Sequence, residues 1–134
     1  MTQELTQLRQ LALSAQRHAY APYSGFAVGA ALVTDKNNTY SGCNVENAAY
    51  PLGQCAEASA IGNMILHGDT HIRTIVIVSP NEDFCYPCGG CRQKIAEFAG
   101  PDTQVVMVTQ QGDIERTTIA ALLPHSFSKQ TMAG

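Results

Sequence analysis

No apolar stretch in this sequence approaches the roughly 20 residues that a membrane-spanning helix needs, so no such span is expected. Nor is there a clustered run of Lys and Arg. Charged residues make up 14% of the 134 and the formal net charge is −3. That balance disfavours nucleic acid as a main partner, because phosphate neutralisation needs clustered cations. The opening MTQELTQLRQLA lacks a basic segment followed by an apolar block, so no signal peptide is expected and the chain is assigned to the cytoplasm. Thiols stay reduced in that compartment. An even cysteine count is also missing: five cysteines suit metal binding or catalysis better than a disulfide framework. No internal repeat or linker breaks residues 1–134, which read as one domain, and 45% hydrophobic residues suffice for a core.

What is present alternates between helix and strand periodicities. Leu5, Leu8, Leu11, Ala12, Ala15 and Ala19 recur at helical steps and predict an amphipathic helix that ends before Pro22. FAVGAALVT at 26–34 and TYSGCNV at 39–45 predict two strands joined by a short turn at Asp35, Asn37 and Asn38. A helix is expected over 55–68, with Gly68 as its stop. The β-branched run from Ile72 to Val78 predicts a central strand. A further helix is expected from Gly90 to Ala99, stopped by Gly100-Pro101, then strands at 105–108 and 114–117 and a last helical turn at 119–123. The tail at 125–134 reads as polar apart from Phe127. This interleaving is the α/β class, one mixed sheet between helical layers.

The chemistry concentrates in two short stretches. Cys55 and Glu57 form C-x-E, and Pro87, Cys88 and Cys91 form P-C-x-x-C. Zinc is held by about four ligands; a catalytic site keeps three from the protein and leaves one position for water, whose pKa falls towards about 7. A carboxylate beside the metal, but not on it, can then move that water's proton. C-x-E followed by P-C-x-x-C is the pattern of zinc nucleobase deaminases in which Cys replaces a His ligand. Residues i and i+2 of a helix point about 200° apart, so Cys55 has to lie at or before the first turn for both it and Glu57 to face one ion. Helix N-termini at Cys55 and near Gly89-Gly90 are expected to direct backbone N–H groups at the thiolates. Two other readings stay open at this point. Cys88 and Cys91 could be a redox pair, although such a pair needs no C-x-E partner. Cys55, Cys85, Cys88 and Cys91 could form a closed structural knuckle, although Pro87 sits within that tight run. Cys85 is read as a non-ligand and Cys43 as a small core residue. His18, His67, His71 and His125 show no ligand spacing.

Together these stretches resemble the small, homotetrameric, zinc-dependent cytidine deaminases of pyrimidine salvage. The likeness runs from about Leu8 to Phe127. It is carried by YAPYSGFAVGAAL (20–32), GCNVENAAYP (42–51), CAE (55–57), PCGGCRQ (87–93) and LLPHSF (122–127). The resemblance implies a three-layer α/β/α fold around a mixed five-stranded sheet. It implies hydrolysis of free cytidine and deoxycytidine to uridine and deoxyuridine plus ammonia. Cys55, Cys88 and Cys91 then hold one Zn2+ per subunit, and Glu57 is the proton shuttle. Asn44 and Glu46 hold the ribose hydroxyls, Phe26 packs on the pyrimidine, and Ala56 belongs to the substrate site. Ala48, Tyr50 and Phe127 contribute across subunit boundaries of a homotetramer with shared sites.

One departure matters. Many members with three cysteine ligands carry Arg directly after the glutamate, and here Ala58 stands there. Three thiolates on Zn2+ leave one net negative charge, which weakens the metal as a Lewis acid. Arg92, directly after Cys91, is the expected replacement, helped by the helix N-termini. The alternatives are a same-fold deaminase of an amine-modified cytidine or of blasticidin S, and NVENAAY argues against the latter. A zinc-stabilised binding protein without turnover has no use for Glu57. Deamination within RNA or DNA is disfavoured by the acidic composition.

Overall fold

The computed structural model describes residues 2–133. The first helix, α1 (Gln3–Gln16), is capped by Thr2, whose hydroxyl accepts the Leu5 N–H at 3.1 Å. Its Leu5, Leu8 and Ala12 are buried, while Leu11 stands exposed. Ala19 falls beyond the helix, because the N–H groups of His18 and Ala19 bond back only three residues and close it earlier than expected. Strand β1 (Gly29–Thr34) and strand β2 (Thr39–Cys43) form an antiparallel hairpin whose turn places Asn37 at φ 65°, a left-handed conformation that Asn tolerates. Phe26 to Val28 thus precede β1 rather than belonging to it. Helix α2 (Ala56–Leu66), strand β3 (Ile72–Val78), helix α3 (Gly89–Glu97), strand β4 (Ala99–Val108), strand β5 (Ile114–Thr118) and helix α4 (Ile119–Leu122) follow. The tail adds a short helix, α5 (Lys129–Ala133), where only a polar tail was expected.

The sheet runs β2-β1-β3-β4-β5. Only β3 and β4 pair in parallel, through the crossover helix α3; the other pairs are antiparallel. Alternation along the strands sorts the core into two layers. Ala31, Val33, Val76, Val78, Val106 and Val108 face α1. Ala30, Leu32, Ile75, Ile77, Val105 and Met107 face α2 and α3, through Ala56, Ala60, Ile61, Met64 and Ile95. The result is the expected three-layer α/β/α fold with a mixed five-stranded sheet.

β4 begins well before the expected strand at 105–108, and Gly100-Pro101 lies inside it rather than ending α3. The ladder allows this because Ile72 pairs with Ala99 and Thr74 with Gln104, so residues 100–103 loop out of register. Thr103 Oγ1 bridges the gap, donating to the Ile72 carbonyl at 2.6 Å and accepting from Gly100 N at 2.9 Å. Pro101 therefore deprives no ladder bond of its donor.

Two glycines set the layer spacing. A Cβ on Gly29 would lie 2.0 Å from the Ala12 carbonyl oxygen, and one on Gly42 would lie 2.4 Å from Ala60 N. Both helices therefore sit closer to the sheet than any side chain allows. The second approach matters for function, because α2 carries Cys55 and Glu57 at its start. Cys43, expected in the core, is only half-buried on β2, the edge strand.

Candidate active site

Both halves of the motif lie at helix starts. Cys55 is the N-cap of α2, with extended backbone at φ −76° and ψ 157°. Cys88 is the N-cap of α3, equally extended, and Cys91 sits in the first turn of that helix. Extension at Cys55 removes the 200° problem: Ala56 opens the helix, and Cys55 and Glu57 line the same cavity. The sulfur atoms of Cys55, Cys88 and Cys91 all lie within 4.8 Å of one another, with Cys55 Sγ 3.9 Å from Cys88 Sγ. Thiolates 2.3 Å from a tetrahedral zinc are about 3.8 Å apart, so this donor set fits one zinc ion. Cys85 is outside the cluster.

The expected capping bonds to sulfur are absent. Neither Cys55 nor Cys88 accepts a backbone N–H at its helix start, so each helix acts on its thiol through its dipole alone. The thiols instead share protons among themselves. Hydrogen bonding from the Cys91 thiol pulls Cys55 down to about 6, with help from Cys88 and the charge of Lys94, against the opposing effect of burial. Cys91 is pushed up correspondingly, first by that bond to Cys55, then by burial and the charge of Glu57. A bound cation would displace the protons that the thiols carry.

Glu57 is 5% exposed. Burial raises its carboxyl above the usual range and the Cys55 thiolate adds to the rise, while its own backbone N–H and Cys91 oppose it. A carboxyl raised this way, beside a three-thiol cluster, is suited to taking up and giving back a proton.

A cavity of about 200 Å3 opens over these groups, lined by Phe26, Asn44, Cys55, Ala56, Glu57 and Cys88 among others. The Asn44 amide is tied on both sides to the segment before β1. Oδ1 accepts from Val28 N at 2.9 Å and Nδ2 donates to the Phe26 carbonyl at 2.8 Å. That pair fixes the backbone carrying Phe26. Pro87 of the motif and Cys85 also line the wall, and so do three residues that were not singled out from sequence: Val28, Ile77 and Tyr86. Val28 and Ile77 were hidden within apolar runs; Tyr86 directly precedes the P-C-x-x-C motif, and that adjacency was the available signal. Burial pushes the Cys85 thiol up, reinforced by the charges of Glu57 and Cys88.

The remaining predicted residues lie elsewhere. Glu46 and Tyr50 line a separate cavity of about 330 Å3 with Tyr23, Ser24, Asn47 and Gly53. The Glu46 carboxylate accepts from Tyr23 N at 3.0 Å, Ser24 N at 3.1 Å and the Ser24 hydroxyl, which holds it below its ordinary range. The Tyr50 ring, three-quarters exposed, meets Tyr23 edge-to-face with centroids 6.0 Å apart. Ala48 is exposed in the loop between Glu46 and Tyr50. Phe127 is 61% exposed; its carbonyl accepts from Gln93 Nε2 at 2.8 Å, and it borders a separate cavity with Ala96 and Glu97 rather than the thiol cavity. Arg92 donates from Nε to the Pro87 carbonyl and from Nη1 to the Leu122 carbonyl, both at 2.8 Å.

Comparison with known proteins agrees with this geometry. Residues 2–109 match the family model described as the cytidine and deoxycytidylate deaminase zinc-binding region. A cytidine deaminase of Sporosarcina psychrophila is 43% identical over 119 residues, covering 89% of this chain and 88% of the relative. A probable cytidine deaminase of Dictyostelium discoideum is 37% identical over 131 residues, covering 97% and 88%. The crystal structure of cytidine deaminase from Burkholderia pseudomallei superposes with a TM-score of 0.88 at 41% identity, over 95% of this chain and all of that one. That from Mycobacterium leprae gives 0.80 at 36% identity, over 92% of this chain. With its three thiols gathered over a buried glutamate, the chain belongs to the cytidine and deoxycytidylate deaminase family defined by this zinc-binding region.

Proposed function

We propose that this protein hydrolyses free cytidine and deoxycytidine to uridine and deoxyuridine, releasing ammonia. The observation that carries the reading is the placement of Glu57 on the wall of the cavity that also presents the Cys55 and Cys88 thiols. Cys55, Cys88 and Cys91 hold one zinc ion. That metal, when bound, supplies a Lewis acid that makes water nucleophilic near neutral pH.

The chain's own groups do the rest. Glu57 takes a proton from water and gives it to the ring nitrogen next to the amino-bearing carbon while the remaining hydroxide bonds to that carbon; it then takes the second proton from the new hydroxyl and gives it to the amino group, so that the C–N bond breaks and ammonia leaves. Its buried setting keeps the proton from bulk water during transfer. Phe26 packs on the pyrimidine from a backbone that Asn44 braces. The first helical residue, Ala56, lies fully buried in the cavity wall, where bulk would collide with the base. Asn44 and Glu46 take the ribose hydroxyls. Three donors already occupy Glu46, and a carboxylate with about four lone-pair directions keeps one acceptor for a sugar hydroxyl. Arg92 ties the loop carrying Cys88 to α3 through the Pro87 carbonyl, and its charge adds to the positive field there.

Residues 1–134 act as one domain, and copies of it associate, as a homotetramer with shared sites. Exposed Tyr20, Tyr23, Val45, Tyr50 and Leu52 support self-association; Tyr20 and Val45 are bridged, and Tyr23 meets Tyr50. Ala48, Tyr50 and Phe127, which sit outside their own chain's cavity, then contribute to a neighbour's. Pyrimidine salvage in the cytoplasm is the physiological setting, without nucleic acid or membrane partners; among the described residues, no helix is long and apolar enough to cross a membrane. The test is the ultraviolet change on incubating zinc-loaded protein with cytidine, deoxycytidine, cytosine and an amine-acylated cytidine. Turnover of the two free nucleosides is expected. Turnover of the acylated compound alone would move the substrate, and turnover of none would overturn the proposal.

A further inference from the structure

Two aromatic rings stand in the wall of the cavity over the thiols, Phe26 and Tyr86. Phe26 packs on the pyrimidine, which leaves Tyr86. The reaction brings the amino-bearing carbon against the side of that cavity formed by Cys55, Glu57 and Cys88. Tyr86 and Pro87 lead directly into Cys88, so the wall on this side is theirs, together with Cys85. Of these three, Tyr86 alone carries a large side chain.

That side chain is held from outside the cavity. The Tyr86 hydroxyl donates to the carboxylate of Glu115, a half-buried residue of β5. Ile77, a wall residue, pairs with Met107, and Met107 pairs with Glu115, so the three form one row on the sheet face covered by α2 and α3. With strands about 4.8 Å apart, Glu115 stands about 10 Å from Ile77, and the hydroxyl bond ties the cavity wall to the far edge of the sheet. The loop is fixed on both flanks of Tyr86. Phe84 packs against the core on that face, and Pro87 is buried, with its carbonyl accepting from Arg92 Nε at 2.8 Å. Tyr86 itself is 45% exposed, so burial alone does not hold its ring, and a hydrogen bond to a carboxylate is a strong one.

We propose that Tyr86, positioned by Glu115, limits what the exocyclic amine can carry and restricts the enzyme to the unsubstituted amine. The inference rests on the deaminase reading and deepens it from reaction to substrate range. The zinc-loaded full chain would be assayed with cytidine and with amine-methylated cytidine. Both give uridine, with ammonia or methylamine as the other product. The quantity read is the ratio of kcat/KM for the methylated compound to that for cytidine. The set is wild type, Tyr86→Ala, Tyr86→Phe, Glu115→Ala, and Tyr86→Phe with Glu115→Ala. Tyr86→Ala should raise the ratio about tenfold, the scale on which a pocket senses one methyl-sized group. Tyr86→Phe and Glu115→Ala should each raise it less. Their combination should go no further than either alone, because both remove the same bond.

An unchanged ratio in Tyr86→Ala would overturn the proposal, and so would a fall of both substrates in step, which marks a structural role. A wild-type ratio in both Tyr86→Phe and Glu115→Ala, or additive rises in their combination, would remove Glu115 from it and overturn it as well. So would a wild type that turns the methylated compound over as fast as cytidine. Failure of the wild type to turn over cytidine at all would instead sink the reading beneath it.

Discussion

Gly42→Ala and Gly62→Ala are the same chemical change at two glycines, and the fold predicts opposite results. A Cβ on Gly42 would meet Ala60 N at 2.4 Å and both the Ser59 carbonyl carbon and Cβ at 2.7 Å. These are mostly backbone atoms, which cannot rotate away, so β2 and α2 must separate by about 1 Å to reach ordinary contact. Overpacking of this kind costs about 1–3 kcal/mol. For a chain of this length each kcal/mol moves the melting temperature by about 4 °C, so Gly42→Ala should melt about 4–12 °C lower. Gly62 lies on the exposed side of α2 with nothing within 4 Å of its would-be Cβ. Alanine there should gain about 0.5–1 kcal/mol and raise the melting temperature by a few degrees. The displaced helix also carries Cys55, so zinc affinity should fall in Gly42→Ala and hold in Gly62→Ala. Thermal unfolding followed by circular dichroism, with chelator competition alongside, reads both effects. Melting of Gly42→Ala with the wild type, or an equal loss in Gly62→Ala, would refute the close approach of α2 to β2 as what positions the site.

Replacing Cys88 with serine should weaken zinc binding by more than about a hundredfold, whereas Cys85→Ser should leave it unchanged, as metal titration can show. Equal zinc loss in both variants would point to a four-cysteine site. Asp69 is buried and accepts from Asn38 Nδ2 at 2.9 Å, Thr34 Oγ1 at 2.9 Å and the Tyr40 hydroxyl at 3.2 Å. The Asn38 bond leads in holding its carboxyl below the usual range. A depressed carboxyl stabilises the fold above the unfolded pKa of about 3.9 and loses that contribution as pH falls through its folded value. Asp69→Asn should therefore melt lower than wild type at neutral pH, with a gap that narrows in acid; a gap constant from neutral to acid pH would contradict this. If subunits share sites, activity per chain should fall on dilution together with the measured mass. Constant specific activity in a sample that has fallen to monomers would rule sharing out.

The zinc site was legible in sequence because its chemistry is local. Each helix start offers its ligands within a few residues, and the α/β pattern brings the two starts together. The helix-phase problem at Cys55 could be stated from sequence, and the extended N-cap resolves it. Capping bonds to sulfur were not to be had from sequence, since whether an N-cap thiol accepts an N–H depends on its rotamer. The early start of β4 was missed because Gly100-Pro101 reads as a stop. Only the Thr103 bridge to Ile72, a tertiary contact, shows how a strand can pass through it. The substrate residues divide similarly. Phe26, Asn44 and Ala56 meet in one cavity, while Glu46 and Tyr50 line another.

Glu57→Gln in the zinc-loaded protein bears most directly on the central claim. Cytidine turnover and bound zinc would be measured on the same sample. The account predicts a full complement of zinc and a rate lowered by about 10²–10⁴-fold, because the metal set is intact and the proton carrier is gone. A variant that keeps its zinc and turns cytidine over at the wild-type rate would contradict the role of Glu57, and with it the reading of the cavity as a deaminase site.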